Sequence, residues 1–195
     1  AAVRYAERLS DAGKRRRAVS VIEEAWVRNP HPHLAVAMER LAAGGPEDRL
    51  HTIERLAAYN RDHEESHLAR ARAALDAGRW SEAREHVGTL VGMHPTSRVC
   101  RLMAELEEGD KGDSDVSRGW LKRAAMAEPD AAWVCDSCGN VVAQWEPVCG
   151  RCRRFDSFLW KTPPRVTHLA EGAAAEHTGP AIDGEAELAE PPARA

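Results

Sequence analysis

Four cysteines, Cys135, Cys138, Cys149 and Cys152, fall in one stretch, WVCDSCGNVVAQWEPVCGRC, spaced C-x2-C-x10-C-x2-C. Thiolates are soft ligands, and two such pairs can wrap tetrahedrally around one ion. Each pair is expected to form a knuckle, a tight turn that points backbone N–H groups at the sulfurs, and Gly139 directly after Cys138 supplies permissive backbone for it. The second knuckle departs from that form, with Gly150 inside it and Arg153 at the position that Gly139 fills in the first. Closure by four thiolates leaves no open position for water, so the site is expected to be structural and not catalytic. Two disulfides suit the pattern less well, because paired two-residue spacings in a chain with five cysteines in all read as ligands. The fifth, Cys100, sits in SRVCRLMAELEE and reads as a buried small hydrophobe.

About thirty residues cannot hold a core unaided, whereas structural zinc contributes on the order of 10–16 kcal/mol to folding. Metal is therefore the expected reason that residues 131–163 fold. Zinc is the expected ion, and iron is the alternative, since four thiolates also hold iron in rubredoxins. Alternation in NVVAQW and FDSFLW predicts short strands, with Val141, Trp145, Phe155, Phe158 and Trp160 as the apolar shell. Arg151, Arg153 and Arg154 are expected to offset the net negative charge of a zinc tetrathiolate, with phosphate contact as the competing reading.

Other constellations carry less. HEESH, residues 63–67, matches the H-E-x-x-H form of zinc proteases, but His63 falls at a helix start, so the one-turn spacing of the two histidines is not expected to form a site. KRRR at 14–17 reads as a solvated helix start, with Asp11, Glu23 and Glu24 nearby. The formal net charge is −4. Residues 162–195 hold Arg165 and Arg194 against Glu171, Glu176, Asp183, Glu185, Glu187 and Glu190, so the rest of the chain is balanced. No basic field advertises nucleic acid.

The cysteines follow a helical repeat. Ala18, Ile22, Ala25 and Pro30 match Ala83, Val87, Leu90 and Pro95, and again Ser117, Leu121, Ala124 and Pro129, with the same internal steps. Leu50, Glu54, Ala57 and Asp62 give a degraded copy between the first two. The pattern is one helix face closed by a proline, and its period of 32, 33 and 34 residues is that of tetratricopeptide repeats. Four helix pairs are expected. Gly13, Gly44, Gly78 and Gly109 mark the ends of first helices, Ser81 and Asp113 or Ser114 cap second helices, and Pro46 opens one. Trp26, Trp80 and Trp120 read as packing residues between repeats.

The expected fold is thus an all-α tetratricopeptide-like solenoid over 1–130, a small β-rich zinc ribbon or rubredoxin-like module over 131–163, and a disordered acidic tail over 164–195. Protein partners along the concave face are the expected ligands of such an array. The chain shows neither the roughly 18 consecutive apolar residues of a membrane span nor the apolar core of a signal peptide. It opens inside an amphipathic helical pattern without a methionine, as a piece of a longer protein would.

RVCRLMAELEEGDKGD (98–113), GWLKRAA (119–125) and FDSFLWKTPP (155–164), following the repeats, resemble the carboxy-terminal region of the HemY family, in its alphaproteobacterial form. These are bacterial inner-membrane tetratricopeptide proteins associated with haem biosynthesis. The resemblance covers residues 1 to about 164. It implies an amino-terminal region with membrane spans, repeats on the cytoplasmic side, partners among tetrapyrrole-pathway enzymes and no enzyme activity. The flavin-binding glycine pattern of the unrelated oxidase that shares the family's name is absent. Metal binding is argued from Cys135, Cys138, Cys149 and Cys152 themselves, because some family members lack the cysteines. The lipopolysaccharide assembly protein B family is similar in architecture, placing a rubredoxin-like four-cysteine module after its repeats, and gives the alternative reading.

Overall fold

Apolar periodicity at the helical spacing produces eight α-helices in the computed structural model, which describes residues 1–93 and 95–164. They are α1 (Ala2–Asp11), α2 (Arg15–Arg28), α3 (Pro32–Leu41), α4 (Pro46–Ala57, continued by a single 3-10 turn), α5 (Glu64–Asp76), α6 (Trp80–Met93), α7 (Ser97–Lys111) and α8 (Ser114–Met126). Three short strands follow: β1 (Ala132–Cys135), β2 (Val141–Val142) and β3 (Phe158–Lys161). The expected fold class is the observed one, a helical repeat of four pairs and then a small antiparallel sheet of order β2-β1-β3. The expected tail lies, from residue 165 onward, outside the described residues.

The repeat is built as its sequence pattern requires. Ala18, Ile22, Ala83 and Val87 are fully buried on the second helices, and the first helices contribute Leu34, Met38, Leu68, Ala71, Val99 and Leu106. Each first helix packs on its own second helix and on the next first helix, which buries a stripe that no isolated pair could bury. The fourth copy departs from the pattern: Leu121 is 49% exposed, because among the described residues no fifth pair covers α8.

Ion pairs repeat with the helices. Glu7–Arg40, Glu23–Arg55, Glu47–Arg79, Glu65–Arg98 and Arg72–Glu105 each join one repeat to the next. Most are solvent-exposed and contribute less than about 1 kcal/mol each. Glu65 is the exception: burial pushes its carboxyl above the usual range, opposed by Arg98 at 2.5 Å. Arg84 makes a further contact to buried Glu107, whose carboxyl is held below the usual range by that guanidinium.

Two expectations about helix ends are corrected. Gly109 does not end α7; it lies within it, where an added Cβ would stand 2.8 Å from the Trp80 ring, so it is glycine because the two repeats touch there. The left-handed residue that ends α7 is Gly112 (φ 64), equivalent to Gly13 (φ 71) and Gly78 (φ 69) in earlier pairs. Ser81 lies inside α6, while Asp113 caps α8 by accepting from the N–H groups of Asp115 and Val116.

Candidate metal centre

β1 leads directly into the first knuckle, so Cys135 is a strand residue whose position is fixed by pairing with Phe158 of β3. The N–H of Gly139, at φ 71, donates to the Cys135 carbonyl at 2.8 Å and closes the turn. The second knuckle repeats this geometry: the N–H of Arg153, at φ 61, donates to the Cys149 carbonyl at 2.9 Å. The two turns bring all four sulfurs together, within 4.8 Å of one another. Cys135–Cys152 and Cys138–Cys149 each stand at 3.7 Å. A tetrahedron of thiolates around zinc, with bonds of about 2.3 Å, has edges of about 3.8 Å. The cluster could therefore hold a zinc or iron ion, and its dimensions suit either.

The surroundings prepare the sulfurs for that role. Hydrogen bonding by the Ser157 hydroxyl, 3.2 Å away, brings the Cys135 thiol down to about 6 against the opposing effect of burial, and the N–H groups of Cys138 and Ser137 assist. Cys149 is likewise lowered, chiefly by the N–H of Cys152. The N–H of Asn140 favours the Cys138 thiolate, but burial and the three neighbouring sulfurs outweigh it and push that thiol up to about 12. Thiolates so close repel one another, and a bound dication removes that repulsion.

The apolar shell differs from expectation by the face of each strand. Val142, not Val141, packs on the cluster, and Phe158 is buried while Phe155 is 72% exposed. Trp145 packs as expected. Trp133, not anticipated, joins the shell, and Trp160 pairs with it at 5.3 Å. Arg151, Arg153 and Arg154 are exposed; the backbone N–H of Arg151 helps to lower the Cys149 thiol, whereas, among the described residues, none of the three guanidinium groups donates to a sulfur.

The module docks on the starts of first helices. The Ser97 N–H donates to the Glu128 carbonyl at 2.9 Å, and the Asp130 carboxylate accepts from the Arg98 N–H at 2.7 Å, where the helix dipole favours it. Trp133 and Trp160 then meet His31, with ring centroids 5.4 and 4.4 Å away. The module leaves Val116 and Leu121 of α8 exposed. Beside His31, a cavity of 380 Å³ opens between α1, α3 and the module, with Trp133, Gln144 and Trp145 on the module side.

Sequence reading missed His31, which caps α3 by accepting the His33 N–H at 3.2 Å. Burial first, and then the like charges of His33 and Arg98, bring its imidazole down to about 4 from 6.5. Below pH 6.5 the unfolded chain takes up a proton that the folded chain refuses. The associated stability is full above that value and falls away towards pH 4, by about 2 kcal/mol at pH 5. Asparagine keeps a capping acceptor without titrating. Urea midpoints at pH 7 and pH 5 should therefore converge in His31→Asn relative to the unaltered chain; an unchanged gap would remove His31 from the account.

The histidines of HEESH do not combine. His63 caps α5 and accepts the Glu65 N–H, whereas His67 meets His86, Nδ1 to Nδ1 at 3.3 Å. Cys100 is 1% exposed inside α7, away from the cluster. No group of three or more histidine, cysteine or carboxylate side chains other than the four cysteines gathers at metal-binding distance among the described residues.

Fold and site together define a helical-repeat protein carrying a four-cysteine module capable of metal binding. No family model matches the chain. Over 150 residues, 76% of its length, it is 33% identical to the probable magnetosome protein Mms48 of Magnetospirillum gryphiswaldense. It spans about a third of that relative's length (33%).

Proposed function

We propose that this chain is the noncatalytic, partner-binding region of a membrane-associated scaffold, with one structural zinc held by Cys135, Cys138, Cys149 and Cys152. The observation that carries the reading is a cluster of four cysteine sulfurs, two buried and two partly buried, that follows a helical repeat. A metal with four protein ligands offers no position to substrate. Zinc is preferred to iron because it has no redox demand and accepts the tetrahedral geometry without preference. Cys135 at the end of β1 and the cysteines of the two knuckles would hold it and so be tied together, while Ser157 orients the Cys135 thiol and Trp133 and Trp160 dock the module on His31.

The resemblance to HemY directs the reading to haem biosynthesis at the cytoplasmic face of the bacterial inner membrane, with tetrapyrrole-pathway enzymes as partners. The similarity to Mms48 supports a second setting, the magnetosome named for that protein. A regulatory adaptor like lipopolysaccharide assembly protein B is the third. None of the described helices is long and apolar enough to cross a membrane, so the anchor in this reading belongs to residues outside them.

Crosslinked affinity capture from the native host, with a Cys135→Ser, Cys138→Ser control, discriminates the settings. Enrichment of tetrapyrrole-pathway enzymes, lost in the control, is the expected result. Enrichment of lipopolysaccharide-assembly or magnetosome components instead would replace the haem assignment.

A further inference from the structure

The second knuckle ends in Arg151–Phe155, a run whose arginines and phenylalanine are all exposed. Phe155 is 72% exposed. Its antiparallel bridge partner, Val148, is 40% exposed, and bridge partners project to the same side, so two apolar side chains emerge together. Among the described residues, the guanidinium groups of Arg151, Arg153 and Arg154 make no ion pair and no side-chain hydrogen bond.

The backbone gives a second, independent sign. The same turn is made twice, with Gly139 at φ 71 in the first knuckle and Arg153 at φ 61 in the second. An L-residue in the left-handed region is strained relative to glycine. Asp156, at φ 46, closes the other side of Phe155, its N–H donating to the Pro147 carbonyl at 2.8 Å. Residues held in such conformations gather at functional surfaces. Among the described residues the Arg153 side chain makes no hydrogen bond or ion pair that would account for its place there.

We propose that this tip docks on an anionic lipid surface, with Phe155 and Val148 entering the headgroup boundary and Arg151, Arg153 and Arg154 facing lipid phosphates. A short aromatic and aliphatic wedge flanked by arginine suits the boundary of a bilayer, where apolar burial and headgroup attraction add. Each arginine near such a surface strengthens binding roughly five-fold. A nucleic-acid strand fits less well. It asks for a track of cations and aromatic platforms, whereas Val148 offers no stacking surface and Lys161 of the same module is engaged with Asp136 at 2.8 Å. The inference goes beyond the scaffold reading and requires only a folded, metal-loaded module.

The test is co-sedimentation of the zinc-loaded chain with vesicles of phosphatidylglycerol and phosphatidylcholine, against vesicles of phosphatidylcholine alone. Binding to the anionic vesicles only is expected. Phe155→Ser and Arg153→Gly should each weaken it about five-fold or more. Arg153→Gly relieves the left-handed strain, so its melting temperature should hold or rise while vesicle binding falls, a pairing that a purely structural arginine would not give. Zinc content measured on the same samples separates a module that does not hold metal from a loaded module that does not bind. Equal binding by the variants, no preference for anionic vesicles, or capture of a single-stranded oligonucleotide in place of vesicles would overturn the proposal.

Discussion

Replacing Cys149 with serine is expected to unfold residues 132–161 while the eight helices persist. Cys149 and Cys135 are almost wholly buried, and with Phe158 and Val134 they are the buried apolar residues of the module. Its remaining apolar contacts, Trp133, Val142 and Trp145, are only partly buried, which is too little to fold so short a segment alone. With a metal held by the four cysteines, as proposed, the ion contributes on the order of 10 kcal/mol, and the loss of one ligand removes most of that. Helical circular dichroism should therefore be retained, metal lost, and protease cutting between β1 and β3 strongly accelerated. The helices should also melt somewhat earlier, because α3 and α7 lose their contacts with Trp133, Trp160 and Asp130. Cys100→Ser is the control, a buried thiol outside the cluster whose loss should leave metal content unchanged. A Cys149→Ser chain with its sheet and metal intact would contradict the assignment of this residue as a ligand.

Trp26→Ala should be the most damaging single truncation in the helical repeat. The side chain is fully buried in the last turns of α2. The backbone around it is also engaged, since the Trp26 carbonyl accepts from the Asn60 side-chain amide at 2.8 Å, joining the first repeat to the second. Removing a buried tryptophan costs about 3–5 kcal/mol, a large share of a typical domain's 5–15 kcal/mol. For a chain of this size the melting temperature should fall by roughly 6–20 °C. Trp26→Phe should be far milder. It keeps most of the apolar volume and removes an indole N–H that has no acceptor among the described residues. Thermal unfolding followed at the helical band separates the two variants; similar, small shifts for both would mean that the first repeat is not packed around Trp26.

The repeat and the four-cysteine cluster were legible because both are patterns of spacing. Ala18, Ile22, Ala83 and Val87 announced a buried helical face, and C-x2-C twice announced knuckles. The choice of strand face was not legible. In a run such as NVVAQW, alternation gives a period of two but no origin, so Val141 and Val142 could exchange sides until pairing with Trp133 fixed the register. The same ambiguity left Phe155 outside, while Phe158 is buried as expected. Gly109 and Gly112 both suited a helix end, and only the approach of Trp80 distinguishes them. His31 had no local signal beyond its place before Pro32, because its role depends on Trp133 and Trp160, more than a hundred positions away. The charge pairs one repeat apart were present in the sequence, and a search at the repeat period would have found them.

The most direct test is elemental analysis of the chain purified under reducing conditions, with the visible spectrum recorded on the same sample. One equivalent of zinc and no visible absorption is the predicted result, with Cys135→Ser and Cys149→Ser samples free of metal. A red protein containing iron would replace the structural role with electron transfer, and a folded module without metal would contradict the account at its centre.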